Sequence, residues 1–308
     1  MGFSSVAAWV AACQETQLPM WEVILRQDLD QDTPEARAAS LKQMKHMWEV
    51  MKNSASQYQS EQRSYSGLVG GDGARYAEAW ASGILMGDCY WNAAIATALK
   101  VSECNACMKR IVAAPTAGSC GVIPAALIPY LECYPDTTEE DMVHALYLAG
   151  GFGNIIAERA SISGAEAGCQ AEIGAASAMA AAALTFLRDL YEDGSLASDF
   201  ITMTTEACGN ACAIALKNLL GLVCDPVAGL VEIPCVKRNV IGVVNAISSA
   251  NLAMAGITSR IPADEVIDAM GEIGRHMPES VRETAQGGLA ATLTGQKIAE
   301  TVLKQPSA

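Results

Sequence analysis

The feature that most constrains the fold of this chain is its set of alanine-rich segments with helical spacing. Stretches of alternating apolar and polar residues are very few. Apolar residues make up 51% of its 308 residues but aromatic residues only 6%, so small side chains dominate. Small side chains at a contact allow two helices to approach closely. The only weak candidate for a strand is the sequence VEI at residues 231–233. These features predict an all-α protein.

Helical periodicity and helix-start signals cover most of the chain. The sequence Asp-Thr-Pro-Glu from Asp32 predicts a capped helix with proline at its first position, and the threonines at 137–138 precede acidic residues, as in a capping box. The predicted helices are residues 34–57, 77–99, 139–148, 172–190, 203–220, 241–255 and 262–276. No linker or repeat separates them. We therefore expect one helical domain over residues 61–308, preceded by a more charged, peripheral helical arm over residues 1–60.

Charge and apolar length exclude several kinds of partner. The net charge of −14 and pI near 4.6 do not provide the basic stripe that a nucleic acid needs. The N-terminal apolar stretch is short and has no basic residues before it, unlike a signal peptide. The most apolar run, residues 175–187, is shorter than the ~20 residues of a membrane-spanning helix. We expect a cytoplasmic protein with no nucleic-acid and no membrane partner.

Eleven cysteines without a secretion signal favour a reducing compartment, where disulfides are rare. Cys104 and Cys107 have the spacing of a metal-binding pair, but no second such pair completes a zinc site. Cys208 and Cys212 lie at helical spacing. Either pair can donate to a metal cluster, and both also fit buried thiols on helices.

Cys169, Cys224 and Cys235 differ because glycine and proline surround them, in the sequences SISGAEAGC, CDPVAG and PCVKRN. Three thiolates can hold three corners of a [4Fe–4S] cluster and leave its fourth iron open as a Lewis acid. Spacing alone does not select this set of three over the other cysteines.

Five glycine-rich breaks interrupt the helical pattern, at residues 66–73, 114–121, 161–166, 225–229 and 283–289. Their backbone N–H groups and hydroxyls suit a small anion such as a carboxylate, although each also fits a simple turn between helices. Three histidines are too few for a histidine-rich metal centre. Lys217 and Lys237 lie in sequence contexts that do not favour pyridoxal phosphate, so we expect no pyridoxal phosphate.

Three long motifs closely resemble the alpha chain of bacterial iron–sulfur-dependent L-serine dehydratase. They are APTAGSCGVIPAAL (114–127), SISGAEAGCQAEIGAASAMAAAA (161–183) and LKNLLGLVCDPVAGLVEIPCVKRN (216–239). The similarity continues through SRIPADEVIDAM and RETAQGGLAAT and covers roughly residues 61–295. It implies an all-helical catalytic domain, a [4Fe–4S] cluster on Cys169, Cys224 and Cys235, and conversion of L-serine to pyruvate and ammonia.

Under this resemblance, polar groups close in sequence to the cysteines are candidates for contact with substrate. The loop at 115–121 is expected to hold the carboxylate of L-serine. The serines at 161 and 163 are expected to contact its ammonium group. The residues after Cys235 are expected to bind the carboxylate or the cluster. The predicted substrate-binding residues are Thr116, Gly118, Ser119, Ser161, Ser163, Arg238 and Asn239. Glu166 is our candidate catalytic residue, and Glu172 is the alternative base.

Two departures from some relatives shape the remaining expectations. Those relatives fuse a β domain before the α domain, and this chain leaves no room for one, so a separate β subunit and a hetero-oligomer are expected. Other relatives end in a cysteine that reaches the cluster, whereas the last cysteine here is Cys235, so one iron is expected to be open. The alternatives are a related lyase for another β-substituted amino acid, such as a cysteine desulfidase, and a non-catalytic cluster-binding protein.

Overall fold

The computed structural model describes residues 2–192 and 198–304. These ranges contain thirteen α-helices and no β-strand, which confirms the predicted all-α class. Helices α1–α7 are Val6–Thr16, Met20–Gln27, Pro34–Ser56, Asp72–Ala81, Cys89–Ala106, Val122–Cys133 and Glu139–Arg159. Helices α8–α13 are Gly164–Ala167, Ala175–Glu192, Ser198–Leu219, Cys235–Met254, Ala263–His276 and Leu293–Leu303.

The alanine-rich helix α9 lies at the centre of the core. Helices α6, α7, α10 and α11 pack around it, and its many alanines allow these neighbours to come close. The apolar segment Gln170–Arg188 includes the turn before α9 and is longer than the predicted apolar run of residues 175–187. By length and composition alone, this segment is long and apolar enough to span a bilayer. Its apolar window is wholly buried inside the protein, so this segment is a core helix.

The single helix predicted over residues 77–99 is wrong. Helix α4 ends at Ala81 and α5 begins at Cys89. Between them Gly83 and Gly87 have φ angles of +76° and +99°, a backbone region that glycine enters at little cost. Asp88 then caps α5 by accepting a hydrogen bond from the Trp91 N–H at 2.8 Å.

The N-terminal helices bury large side chains against the rest of the protein. Trp9 and Trp48 are 0% exposed and belong to the same core as α9. Helix α7 runs on past its predicted end at residue 148, to Arg159, and Gly151 within it faces Trp9. A Cβ on Gly151 would lie 2.4 Å from the indole, so this close contact requires glycine. The boundary at residue 60 stays a prediction.

His144 connects α7 to α2 by stacking on Trp21, with 3.7 Å between ring centroids. Burial lowers the pKa of His144, although the nearby carboxylates of Glu140, Asp141 and Glu22 oppose this effect. The pKa of His144 in the folded state is below its unfolded value of about 6.5. As the pH falls, the unfolded chain therefore binds more protons at this residue than the folded protein does. His144 therefore contributes stability above that pH and loses it on acidification.

The free energy of unfolding, measured by urea denaturation, should decrease between pH 7.5 and pH 5.5. We expect this decrease to be smaller in His144→Gln than in the parent. The matched control is His46→Gln, because His46 is exposed on α3. If both variants keep the parent's pH dependence, the interpretation of His144 is wrong.

Candidate functional site

Three cysteines distant in sequence meet at the N-terminal end of the central helix. Cys169 immediately precedes a π-helical turn, Gln170–Gly174, that leads into α9. Cys224 lies in the connection between α10 and α11, and Cys235 is the first residue of α11. Their exposed fractions are 2%, 2% and 7%. Cys224 and Cys235 each lie close enough to Cys169 to interact with it electrostatically.

The surroundings distinguish the three thiols. The contact with Cys224 lowers the pKa of Cys169, burial opposes this, and the positive charge of Arg238 adds to the lowering. The same contact raises the pKa of Cys224. Burial raises the pKa of Cys235 to about 12. The thiolate, which is the form that binds a metal, is therefore most favoured at Cys169.

The C-terminal part of the chain holds Cys224 in place. The Cys224 N–H donates to the Val281 carbonyl at 2.9 Å, and the Glu283 N–H donates to the Cys224 carbonyl at 2.8 Å. The next residue, Asp225, is 3% exposed; it pairs with Arg238 at 2.8 Å and accepts from the Leu289 N–H at 2.7 Å. Asp225 thus connects the cysteine region to residues 281–289.

Sequence reasoning interpreted Asp225 only as part of a turn with Pro226. The motif RETAQGGLAAT at residues 282–292 was predicted only as a glycine-rich break that suits a small anion, and its contact with Asp225 was missed. Its backbone amide at Leu289 is a partner of the Asp225 carboxylate.

Glu172 is a buried carboxylate that contacts both the cysteines and the predicted substrate loop. It lies on the π-helical turn and is 9% exposed. The Thr116 hydroxyl donates to Glu172 Oε1 at 2.7 Å, and the Cys224 thiol donates to Oε2 at 3.8 Å. Burial raises the pKa of Glu172, although the hydrogen bond from Thr116 opposes the rise. A carboxylate with a raised pKa is suited to accept a proton near neutral pH.

The predicted loop residues Thr116, Gly118 and Ser119 lie beside Glu172. The hydroxyls of Thr116 and Ser119 are 3.1 Å apart. Asn239 holds this loop against α11, because its Nδ2 donates to the Gly118 carbonyl at 2.8 Å and to the Cys235 carbonyl at 3.0 Å. Its Oδ1 accepts from the Gly121 N–H at 2.9 Å. Both ends of the Asn239 amide are therefore engaged within the protein.

Ser161, Ser163 and Glu166 form a separate group on and before the short helix α8. The Ser161 hydroxyl donates to Glu166 Oε2 at 2.7 Å and accepts from the Ser163 N–H at 3.0 Å. Glu166 is exposed and lines a surface cavity of about 660 Å³ that also includes Arg275 and Arg282. Of the two candidate carboxylates, only Glu172 has a hydrogen bond with a cysteine of the site.

The remaining predicted pairs lie elsewhere. Cys208 and Cys212 are 0% exposed in α10, where the Cys208 thiol donates to the Ala182 carbonyl at 3.5 Å. Cys104 is buried and Cys107 partly exposed near the end of α5. Among the residues described, no three His, Cys, Asp or Glu side chains converge on a single metal ion. A cubane cluster does not require such convergence, since each of its cysteines binds a different iron.

Comparison with known proteins identifies the family of this chain. Residues 15–290 match the family described as "Serine dehydratase alpha chain". A "Probable L-serine dehydratase, alpha chain" of Bacillus subtilis (strain 168) is 43% identical over 97% of this chain and 95% of its own length.

Two further relatives differ in how much of their length is matched. An "L-serine dehydratase, alpha chain" of Peptoniphilus asaccharolyticus is 39% identical over 96% of this chain and 97% of its own length. An L-serine dehydratase of Escherichia coli (strain K12) is 46% identical over 63% of this chain, but only 40% of that protein is matched. The chain belongs to the serine dehydratase alpha chain family.

Proposed function

We propose that this chain is the catalytic alpha chain of an L-serine dehydratase, which converts L-serine to pyruvate and ammonia with a [4Fe–4S] cluster on Cys169, Cys224 and Cys235. The observation that carries the proposal is the meeting of three buried cysteines beside Glu172. The names and nearly full-length match of the B. subtilis and P. asaccharolyticus proteins support it.

The residues fit such a cluster in chemistry and in shape. Thiolates are the usual ligands of iron–sulfur clusters. Two backbone segments approach the site so closely that a side chain there would displace the Glu172 carboxylate. A Cβ on Gly164 would lie 2.7 Å from Glu172 Oε2 and 3.2 Å from Cys224 Sγ, and one on Gly118 would lie 2.9 Å from Glu172 Oε1. When bound, a cluster with one iron free of protein ligands supplies a Lewis acid for the β-hydroxyl of the substrate.

The protein's own groups account for the proton transfer and for orientation. Glu172 accepts the α-proton of L-serine, and the β-hydroxyl leaves as water when it gains a proton. The resulting enamine tautomerises to an imine, and water hydrolyses the imine to pyruvate and ammonia. Thr116, Ser119 and the backbone N–H groups of their loop bind the substrate carboxylate. Asn239 positions this loop through the hydrogen bonds already described.

A separate β subunit is part of the proposal. The two relatives matched over nearly their whole length are each named an alpha chain. The E. coli protein is matched over only 40% of its length, so it carries much additional sequence. We propose that a second polypeptide supplies the equivalent of that additional part.

Anaerobic reconstitution with iron and sulfide, with and without the β partner, tests the function. We expect pyruvate and ammonia from L-serine in the parent and no pyruvate above background in Cys224→Ser, because a cluster ligand is lost. Cys107→Ser is the matched control and should retain activity. Undiminished pyruvate formation by Cys224→Ser would contradict the cluster mechanism, and sulfide release from L-cysteine with no activity on L-serine would favour the desulfidase alternative.

Paired variants distinguish the two candidate bases. We expect Glu172→Gln to lower kcat by about 100-fold or more, the usual loss for a general base, and Glu166→Gln to change kcat much less. Iron and sulfide content is measured in both, so that loss of cluster is separated from loss of the base. The reverse ranking at equal iron content would assign the base to Glu166.

Gly164→Ala tests the close approach of the backbone to the site. The added methyl group should displace Glu172 and Cys224, lower the iron content after reconstitution, and destabilise the protein by about 1–3 kcal/mol. Gly150→Ala in α7 is the control, since a Cβ there would meet no heavy atom of the described residues within 4 Å. Alanine at that helical position should stabilise the protein by about 0.5–1 kcal/mol. Equal iron binding by both variants would refute this interpretation of Gly164.

A further inference from the structure

We propose that Cys89 and Cys133 form a dithiol pair that a small disulfide oxidises to a reversible intramolecular disulfide. Neither residue belongs to the site above, and the inference does not depend on the proposed function. The Cys133 thiol donates to the Cys89 sulfur with 3.6 Å between the two Sγ atoms.

The positions of the two cysteines allow their sulfurs to bond. A disulfide has an S–S length of about 2.0 Å, so the sulfur atoms have to approach by only ~1.6 Å. Cys89 is the first residue of α5 and Cys133 is the last residue of α6. These helices pack directly on each other, so the two cysteines are neighbours across a helix contact. At helix ends, small backbone adjustments break few hydrogen bonds.

The pair is also accessible to an oxidant in solution. Of the eleven cysteines, all of which lie in the described ranges, only Cys89 is exposed. Cys133 is partly exposed, and burial together with the contact to Cys89 raises its pKa to about 11. Since the thiolate is the attacking form and access limits its reaction, Cys89 is the residue that meets the oxidant first.

A cavity of about 460 Å³ lies beside the pair and indicates the chemistry of the oxidant. Asp88 and Tyr90, which flank Cys89, line this cavity together with Tyr134, which follows Cys133. The Arg188 guanidinium also lines it, 5.6 Å from the centre of the Tyr134 ring. An arginine beside aromatic rings suits a carboxylate-bearing molecule. The oxidant is therefore a low-molecular-weight disulfide that carries carboxylates.

The exchange balances in two steps. The Cys89 thiolate attacks the small disulfide, forms a mixed disulfide and releases one small thiol. The Cys133 sulfur then loses its proton and attacks Cys89 Sγ, which forms the protein disulfide and releases the second small thiol. The two cysteines lose two electrons to the small disulfide, and their two protons end on the released thiols.

The reconstituted full-length protein, treated anaerobically with glutathione disulfide, tests the proposal. After alkylation of free thiols and proteolysis, mass spectrometry should find a Cys89–Cys133 cross-link about 2 Da lighter than the sum of the two reduced peptides. Dithiothreitol should reverse it. Cys133→Ser should stop at a mixed disulfide on Cys89, whereas the control Cys107→Ser should form the cross-link as the parent does.

Three outcomes would overturn the inference: Cys89 and Cys133 both alkylated after treatment, a stable mixed disulfide on Cys89 in the parent, or cross-linking between chains. The role of Arg188 has its own comparison. Arg188→Gln should slow the reaction with glutathione disulfide by about tenfold, as for other steered encounters, and leave the rate with uncharged 2-hydroxyethyl disulfide unchanged. Equal slowing with both reagents would exclude charge recognition by Arg188.

Discussion

The complete burial of the segment that runs from Gln170 into α9 governs the rest of the molecule. Because helices pack on this segment from all sides, the polar residues at its start must find partners inside the protein. Gln170 does so by accepting from the Gly221 N–H at 2.8 Å and donating to the Met270 carbonyl at 3.1 Å. Glu172 does so with Thr116 and Cys224. Burial of this segment therefore fixes the positions of Gln170 and Glu172.

A π-helical turn carries the buried carboxylate of the candidate site. A regular α-helix places successive side chains about 100° apart, whereas a π-helical turn changes that phase over one turn. Such turns are frequent at functional sites. Here the turn lies between Cys169 and α9, and it carries Glu172. Its carboxylate contacts the Thr116 hydroxyl and the Cys224 thiol, which come from distant parts of the chain.

Local signals in the sequence predicted much of the fold but not how its parts meet. Thr33 and Pro34 begin α3 as expected, because capping is a short-range interaction. The break at Gly83 and Gly87 was missed, since glycine inside a helical pattern is an ambiguous signal.

The site shows the same division between local and long-range information. Resemblance singled out the three cysteines and the Thr116 loop, but the choice between Glu166 and Glu172 depends on burial and on contacts between distant parts of the chain. The contact between Asp225 and Leu289 spans 64 residues and involves a backbone amide, which leaves no residue-type signature.

The contacts of Cys224 with residues 281 and 283 also impose an order of events in the cell. A chain emerges from the ribosome N-terminus first, at about 5–20 residues per second. All three cysteines are therefore synthesised before the segment that bonds to Cys224 and Asp225. A nascent chain offers these thiols while this part of their surroundings is still missing, and the mature environment exists only after synthesis has passed Leu289.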